Sequence, residues 1–191
     1  MSDTVLQLQL PNSPDPILYH YYQGLSNRIF YINCEIDSDL VDMVSVPLLM
    51  ADTTGEPITI YLNTPGGSVF DGFNLADIIS NLRSPTTIIV LGYAYSMGMY
   101  LLMAGSNKPN ITRKCYPFST GLMHGGSSLV QGTSSQVRDY HEFAERFDKK
   151  VENFVLANSN FTKKEYDKIE RYELYLTAEE MLEKGLVDEI I

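Results

Sequence analysis

Between Phe70 and Ala104 the hydropathy pattern changes period twice, and this constrains the fold most. Phe70 to Leu82 reads as a helix, with Phe73, Leu75, Ala76, Ile78, Ile79 and Leu82 on one apolar face. Thr86 to Leu91 is an almost unbroken β-branched and apolar run, which is how a strand buried on both faces reads. Ser96 to Ala104 returns as a very apolar helix. A strand covered by helices on both sides in sequence implies an α/β domain with a largely parallel sheet.

The flanks repeat the alternation. Arg28–Ile32 and Pro57–Leu62 are strand candidates, and Asp37–Met50 has helical spacing that Pro47 should kink or weaken. Gly121–Gly125 reads as a short strand ending in glycine. Thr133-Ser134-Ser135-Gln136 is a capping box opening a long helix over about 133–158. Its seam of Val137, Tyr140, Ala144, Phe147, Val151 and Phe154 steps by threes and fours, like a coiled coil. Capping boxes recur at Thr162 and Thr177, and Gly185 stops the last helix before a strand over 186–191. Residues 1–17, with Pro11, Pro14 and Pro16, read as a flexible arm, leaving 18–191 as a single domain. The aromatic run Leu18–Tyr22 should dock on something.

Charge removes whole classes of function. The net charge of −10 argues against nucleic acid as a partner. No apolar run approaches the roughly 18 residues that cross a bilayer. The opening Met1-Ser2-Asp3-Thr4 lacks the basic region of a signal peptide, so the expectation is a cytoplasmic chain. Two cysteines, Cys34 and Cys115, make neither a disulfide framework nor a zinc cluster.

Three features point to acyl chemistry. Ser96, in Gly92-Tyr93-Ala94-Tyr95-Ser96-Met97-Gly98, follows a buried strand and opens a helix, where N–H groups lack partners and the potential is positive. His124 ends a strand before Gly125-Gly126. Pro65-Gly66-Gly67-Ser68 follows another strand, and tandem glycines can aim N–H groups at a developing anion. Each has a plainer reading: an N-cap, a structural histidine, an ordinary turn. Serine attack on a carbonyl needs a base, backbone donors and usually an acid to hold the imidazole. The acid has to come from Asp167, Glu170, Glu173 or Asp188, or from nowhere.

Taken together, Tyr61–Val69, Ala94–Gly98, Leu122-Met123-His124, Leu176–Glu180 and Gly185–Asp188 resemble the ClpP family, the proteolytic subunits of Clp proteases. The resemblance spans about residues 18–191. It implies a crotonase-like (ClpP) fold of repeated β-β-α units with a protruding handle helix, here about 133–158. It implies a serine endopeptidase with Ser96 as nucleophile, His124 as base, and the Gly67 and Met97 N–H groups as oxyanion hole. Gly125 and Gly126 would begin the segment that binds substrate as an added strand. Tyr61 falls where the family has an aromatic in its unfoldase-docking pocket. The 1–17 arm matches the pore-lining loop in position.

The resemblance also implies partners. Two stacked heptameric rings would enclose a chamber, the handle helix meeting its counterpart in the facing ring. Unfolded polypeptide would arrive from a AAA+ unfoldase of the ClpX or ClpA/ClpC type. No metal or organic cofactor is implied; ATP would be used by the partner, since no P-loop pattern is present.

The chain departs from the family at three places. Glu173 stands where the family has its aspartate, three positions before Leu176. Tyr95 replaces a small residue and should crowd or reshape the pocket, and Gly125-Gly126 replaces Gln-Pro. These departures motivate an alternative, a catalytically weak or structural subunit that co-assembles with an active ClpP paralogue. An acyl-CoA hydratase or isomerase, from the same superfamily, would need carboxylates rather than a serine–histidine pair.

Overall fold

The computed structural model describes residues 16–127 and 129–191. The expected arm lies outside them, except that Pro16 and Ile17 begin a helix, α1 (Pro16–Ser26). Then come β1 (Ile29–Ile32), α2 (Ser38–Asp52), β2 (Ile58–Thr64), α3 (Val69–Ser80), β3 (Thr86–Tyr95), α4 (Met97–Ala104), β4 (Ile111–Cys115) and β5 (Thr120–Met123). The chain closes with α5 (Ser134–Ala157), α6 (Lys163–Ile169), β6 (Leu174–Leu176), α7 (Ala178–Glu183) and β7 (Glu189–Ile190). The alternation of strand and helix gives the mixed α/β architecture that the sequence implies.

The sheet runs β1-β2-β3-β4-β7, with β5 on β3 and β6 on β5. Every pairing is parallel except β5 with β6. β3 carries both branches. Its first half, Thr86–Val90, pairs with β4, and its last three residues pair with Thr120–Leu122 of β5. The change of partner falls at Gly92, where a Cβ would stand 2.8 Å from the Asn63 side-chain oxygen. The β2–β3 register shifts beside it, between Leu62 and Thr64. β3 is therefore three residues longer than the apolar run Thr86–Leu91 plus its glycine, and it ends directly at Ser96.

β2 buries alternate residues, Ile58, Ile60, Leu62 and Thr64. All eight residues of α4 are buried, as expected for a helix apolar on every side. Pro47 does not break α2, which runs on to Asp52 from the Asp37 cap. β4 and β6 have no counterpart in the sequence reading. Among the described residues no helix is long and apolar enough to cross a membrane, and no group of three or more His, Cys, Asp or Glu could hold a metal ion.

Candidate active site

Ser96 sits between β3 and α4 at φ 50° and ψ −119°, a region that non-glycine residues seldom occupy. Its hydroxyl makes no capping bond to α4, so the plain N-cap reading does not hold. The main chain fixes the turn instead: Ser96 N donates to Leu122 O at 2.8 Å, and Met99 N donates to Ser96 O at 2.9 Å. Met97 is the first residue of α4, and its N–H has no acceptor within the helix.

The glycine turn lies against this elbow. Gly66 has φ 91°, and a Cβ there would stand 2.7 Å from Ser96 Cβ and 2.9 Å from Met97 N. Only glycine lets the two chains approach so closely. Ile36 brackets the next residue: its N donates to Gly66 O at 2.8 Å, and its O accepts from Ser68 N at 2.7 Å. In such a parallel bridge the N–H of Gly67 faces away from Ile36. Thr64 braces the turn from inside, donating to Cys34 O at 2.6 Å and accepting from Gly66 N at 3.1 Å.

His124 follows β5 and is half-buried. Its Nδ1 lies 2.8 Å from Gly125 O. Gly125 N in turn donates to Ile169 O at 3.1 Å, and a Cβ on Gly125 would stand 2.7 Å from Glu170 O. Ser96, Met97, His124 and Gly126 line one cavity of about 330 Å³. Its apolar wall comes from α3 and α5. Phe70 lies 5.4 Å from Phe147, and Phe73 meets Phe147 and Phe154 edge-on at 5.6 and 5.8 Å. The seam of the long helix is thus partly covered by the chain's own α3.

Two carboxylates, Asp148 and Glu170, reach the same cavity beside Tyr100 and Tyr166. Burial, with both carboxylates nearby, pushes the Tyr100 phenol up to about 12. Burial and a hydrogen bond to Glu170 raise that of Tyr166.

Glu173 is not brought to this place. It lines a separate cavity of about 450 Å³, and its carboxylate accepts from the Tyr175 hydroxyl at 2.8 Å. That hydrogen bond raises the Tyr175 phenol. Tyr95 also turns away from the cavity rather than crowding it. Its hydroxyl meets Thr120 Oγ1 at 3.0 Å, and its ring meets Tyr175 edge-on at 6.3 Å. Tyr61 stacks on Tyr31 at 5.3 Å. The sequence reading left Asp148 and Phe143 unremarked. Asp148 sits next to the seam residue Phe147, and Phe143 lies four before it, which is the one available signal.

Comparison with known proteins gives the family. The Clp protease family model matches residues 15–191. The chain belongs to the Clp protease family. A curated relative, the "ATP-dependent Clp protease proteolytic subunit" of Porphyromonas gingivalis (strain ATCC BAA-308 / W83), is 28% identical over 169 residues. That match covers 87% of this chain and 75% of the relative. As a Clp protease family member, the chain carries the strand-to-helix elbow and the glycine turn on adjoining parallel strands, β3 and β2.

Proposed function

We propose that this Clp-type protease is a serine endopeptidase subunit that cleaves unfolded polypeptide through an acyl-enzyme. One observation carries the reading. Ser96 is held at a strained elbow with its hydroxyl free of the helix cap, in a cavity it shares with His124. Ser96 Oγ attacks the scissile carbonyl while His124 Nε2 takes its proton. The N–H groups of Gly67 and Met97 receive the oxyanion, each such donor contributing on the order of 3 kcal/mol to the barrier reduction. His124 then protonates the leaving amine, and water repeats the cycle on the ester. Of the two glycines expected to meet a substrate strand, Gly126 offers its main chain, whereas Gly125 already gives its N–H to Ile169 O and its carbonyl to His124 Nδ1.

The same reading includes a cytoplasmic assembly of two stacked heptameric rings fed by a AAA+ unfoldase, which would be the ATP user. Glu173 was expected as the third catalytic member. Its engagement by Tyr175 favours a second reading, a structural subunit beside an active paralogue.

Fluorophosphonate labelling of the purified chain, with the adduct located by mass spectrometry, separates the two. Modification at Ser96 that vanishes in Ser96→Ala is expected. A folded, assembled sample that stays unlabelled overturns the first reading and leaves the second.

A further inference from the structure

None of the four carboxylates that the sequence offers as partner for His124 is hydrogen-bonded to it among the described residues. Asp167 pairs with Lys163 on the surface of α6. Asp188 pairs with Arg113 at 2.6 Å. Glu173 accepts from Tyr175. Glu170 lines the same cavity beside Tyr166, and no hydrogen bond joins it to His124. The atom that does meet the imidazole is the main-chain oxygen of Gly125, 2.8 Å from Nδ1.

A carbonyl oxygen can only accept, so Nδ1 carries the hydrogen in this contact. The neutral ring then has its lone pair on Nε2, the nitrogen that must receive the Ser96 proton. Holding that tautomer is the task the acid performs in a serine–histidine–acid triad. Resting on the serine-peptidase reading above, we infer that the Gly125 carbonyl takes this positioning role and that no carboxylate is required.

Gly125 suits the role because it is held at its N–H and hemmed in at its Cα. Its N–H is tied to Ile169 O, and its Cα packs against Glu170 O too closely for any side chain. The bulk-free residue lets the loop fold back so that its own carbonyl faces the preceding ring. The proton moves from Ser96 Oγ to Nε2 as the Oγ–carbon bond forms, and returns from Nε2 to the leaving nitrogen. Nδ1–H stays on the ring throughout.

The other titratable groups around the cavity are Tyr100 on α4, Tyr140 and Asp148 on α5, and Tyr166 and Glu170 on and after α6. The test therefore removes each carboxylate in turn. Glu170→Gln, Glu173→Gln, Asp148→Asn and the double Glu170→Gln/Glu173→Gln variant are compared with wild type for peptide cleavage across pH. Values of kcat/KM within about threefold and an unmoved acid limb are expected. Loss of an acid partner in a triad costs about 10⁴-fold. A drop beyond about 100-fold, or a displaced acid limb, in an assembled variant overturns the inference and names the true partner.

A readout free of activity accompanies it. With ¹⁵N-histidine labelling, and His20→Gln and His141→Gln to leave one signal, the Nδ1–H tautomer should persist in every carboxylate variant. An Nε2–H tautomer in wild type, or its appearance in a variant, overturns the inference even where Ser96 labels. Failure of Ser96 to label while Nδ1–H persists overturns the peptidase reading alone.

Discussion

The hydroxyl of Tyr21 donates to the carbonyl oxygen of Met43 at 3.0 Å, and Met43 lies four residues before Pro47. Proline has no N–H, so this carbonyl is the one that Pro47 leaves without its helical donor. A tyrosine on α1 thus supplies the hydrogen bond missing from α2, which accounts for a helix that continues through its proline. It also gives the aromatic run of α1 the docking target that the sequence implies.

The repair predicts a coupled pair. Tyr21→Phe should lower stability by about 1 kcal/mol, the usual worth of such a bond. In a Pro47→Ala background, where residue 47 regains its N–H, the same change should cost only a few tenths. Urea denaturation of the four proteins measures the coupling. Equal costs in both backgrounds would show that Met43 gains nothing from the tyrosine.

Gly67→Ala should disable the turn without dissolving the fold. An added Cβ would run into the Ile36 main chain, at a φ of 151° that side chains avoid. The N–H of residue 67 must then swing away from its present direction. Labelling of Ser96 should slow by about 100-fold or more, the effect of losing one oxyanion donor. Circular dichroism should stay that of wild type. Undiminished labelling would remove Gly67 from the oxyanion site.

Asp188→Ala should loosen the C-terminal segment. Arg113 is 5% exposed, and Asp188 takes both its guanidinium, at 2.6 Å, and its main-chain N–H, at 2.7 Å. Removing the carboxylate strands a buried charge. A cost of about 2–3 kcal/mol is expected, below the full range for buried pairs because the Asp188 side chain is 42% exposed. Denaturant midpoints check this, and Arg113→Met with Asp188→Ala should recover part of the loss.

Glu165 sets a pH dependence. Hydrogen bonds from Lys184 and from the Thr162 N–H and hydroxyl hold its carboxyl at about 2, against an ordinary value of 4.5. A depressed folded-state value stabilises the fold above the unfolded value and is lost as the carboxylate protonates. Stability should therefore fall as pH drops from about 4.5 towards 2. Glu165→Gln should flatten that limb in thermal melts while leaving the neutral range nearly level in pH. An unchanged acid limb would show that this capping box does not contribute to it.

The sequence made the long elements and two of the candidate site residues legible for separate reasons. Capping boxes at Thr133, Thr162 and Thr177 announce α5, α6 and α7, because a cap is local chemistry written in four residues. β4 and β6 escaped because Ile111–Cys115 contains Arg113 and Lys114, and Leu174–Leu176 is only three residues long. Their strand character comes from pairing with β3 and β5, a tertiary cause. Ser96 and His124 were readable from their turns and do share one cavity. Glu173 was placed by counting from Leu176. A count cannot see that Tyr175, two residues on, folds back to claim the carboxylate.

The hydrogen bond from Ser96 N to Leu122 O has a further consequence. It belongs to the ladder that joins the end of β3 to β5, and His124 stands two residues beyond its acceptor. The strand register that fixes the Ser96 turn thus also fixes where the chain delivers His124. A slip of one residue in that short ladder would invert the faces of β5 and uncouple the pair at once. The relation between the elbow and the imidazole therefore lasts only as long as that ladder keeps its register.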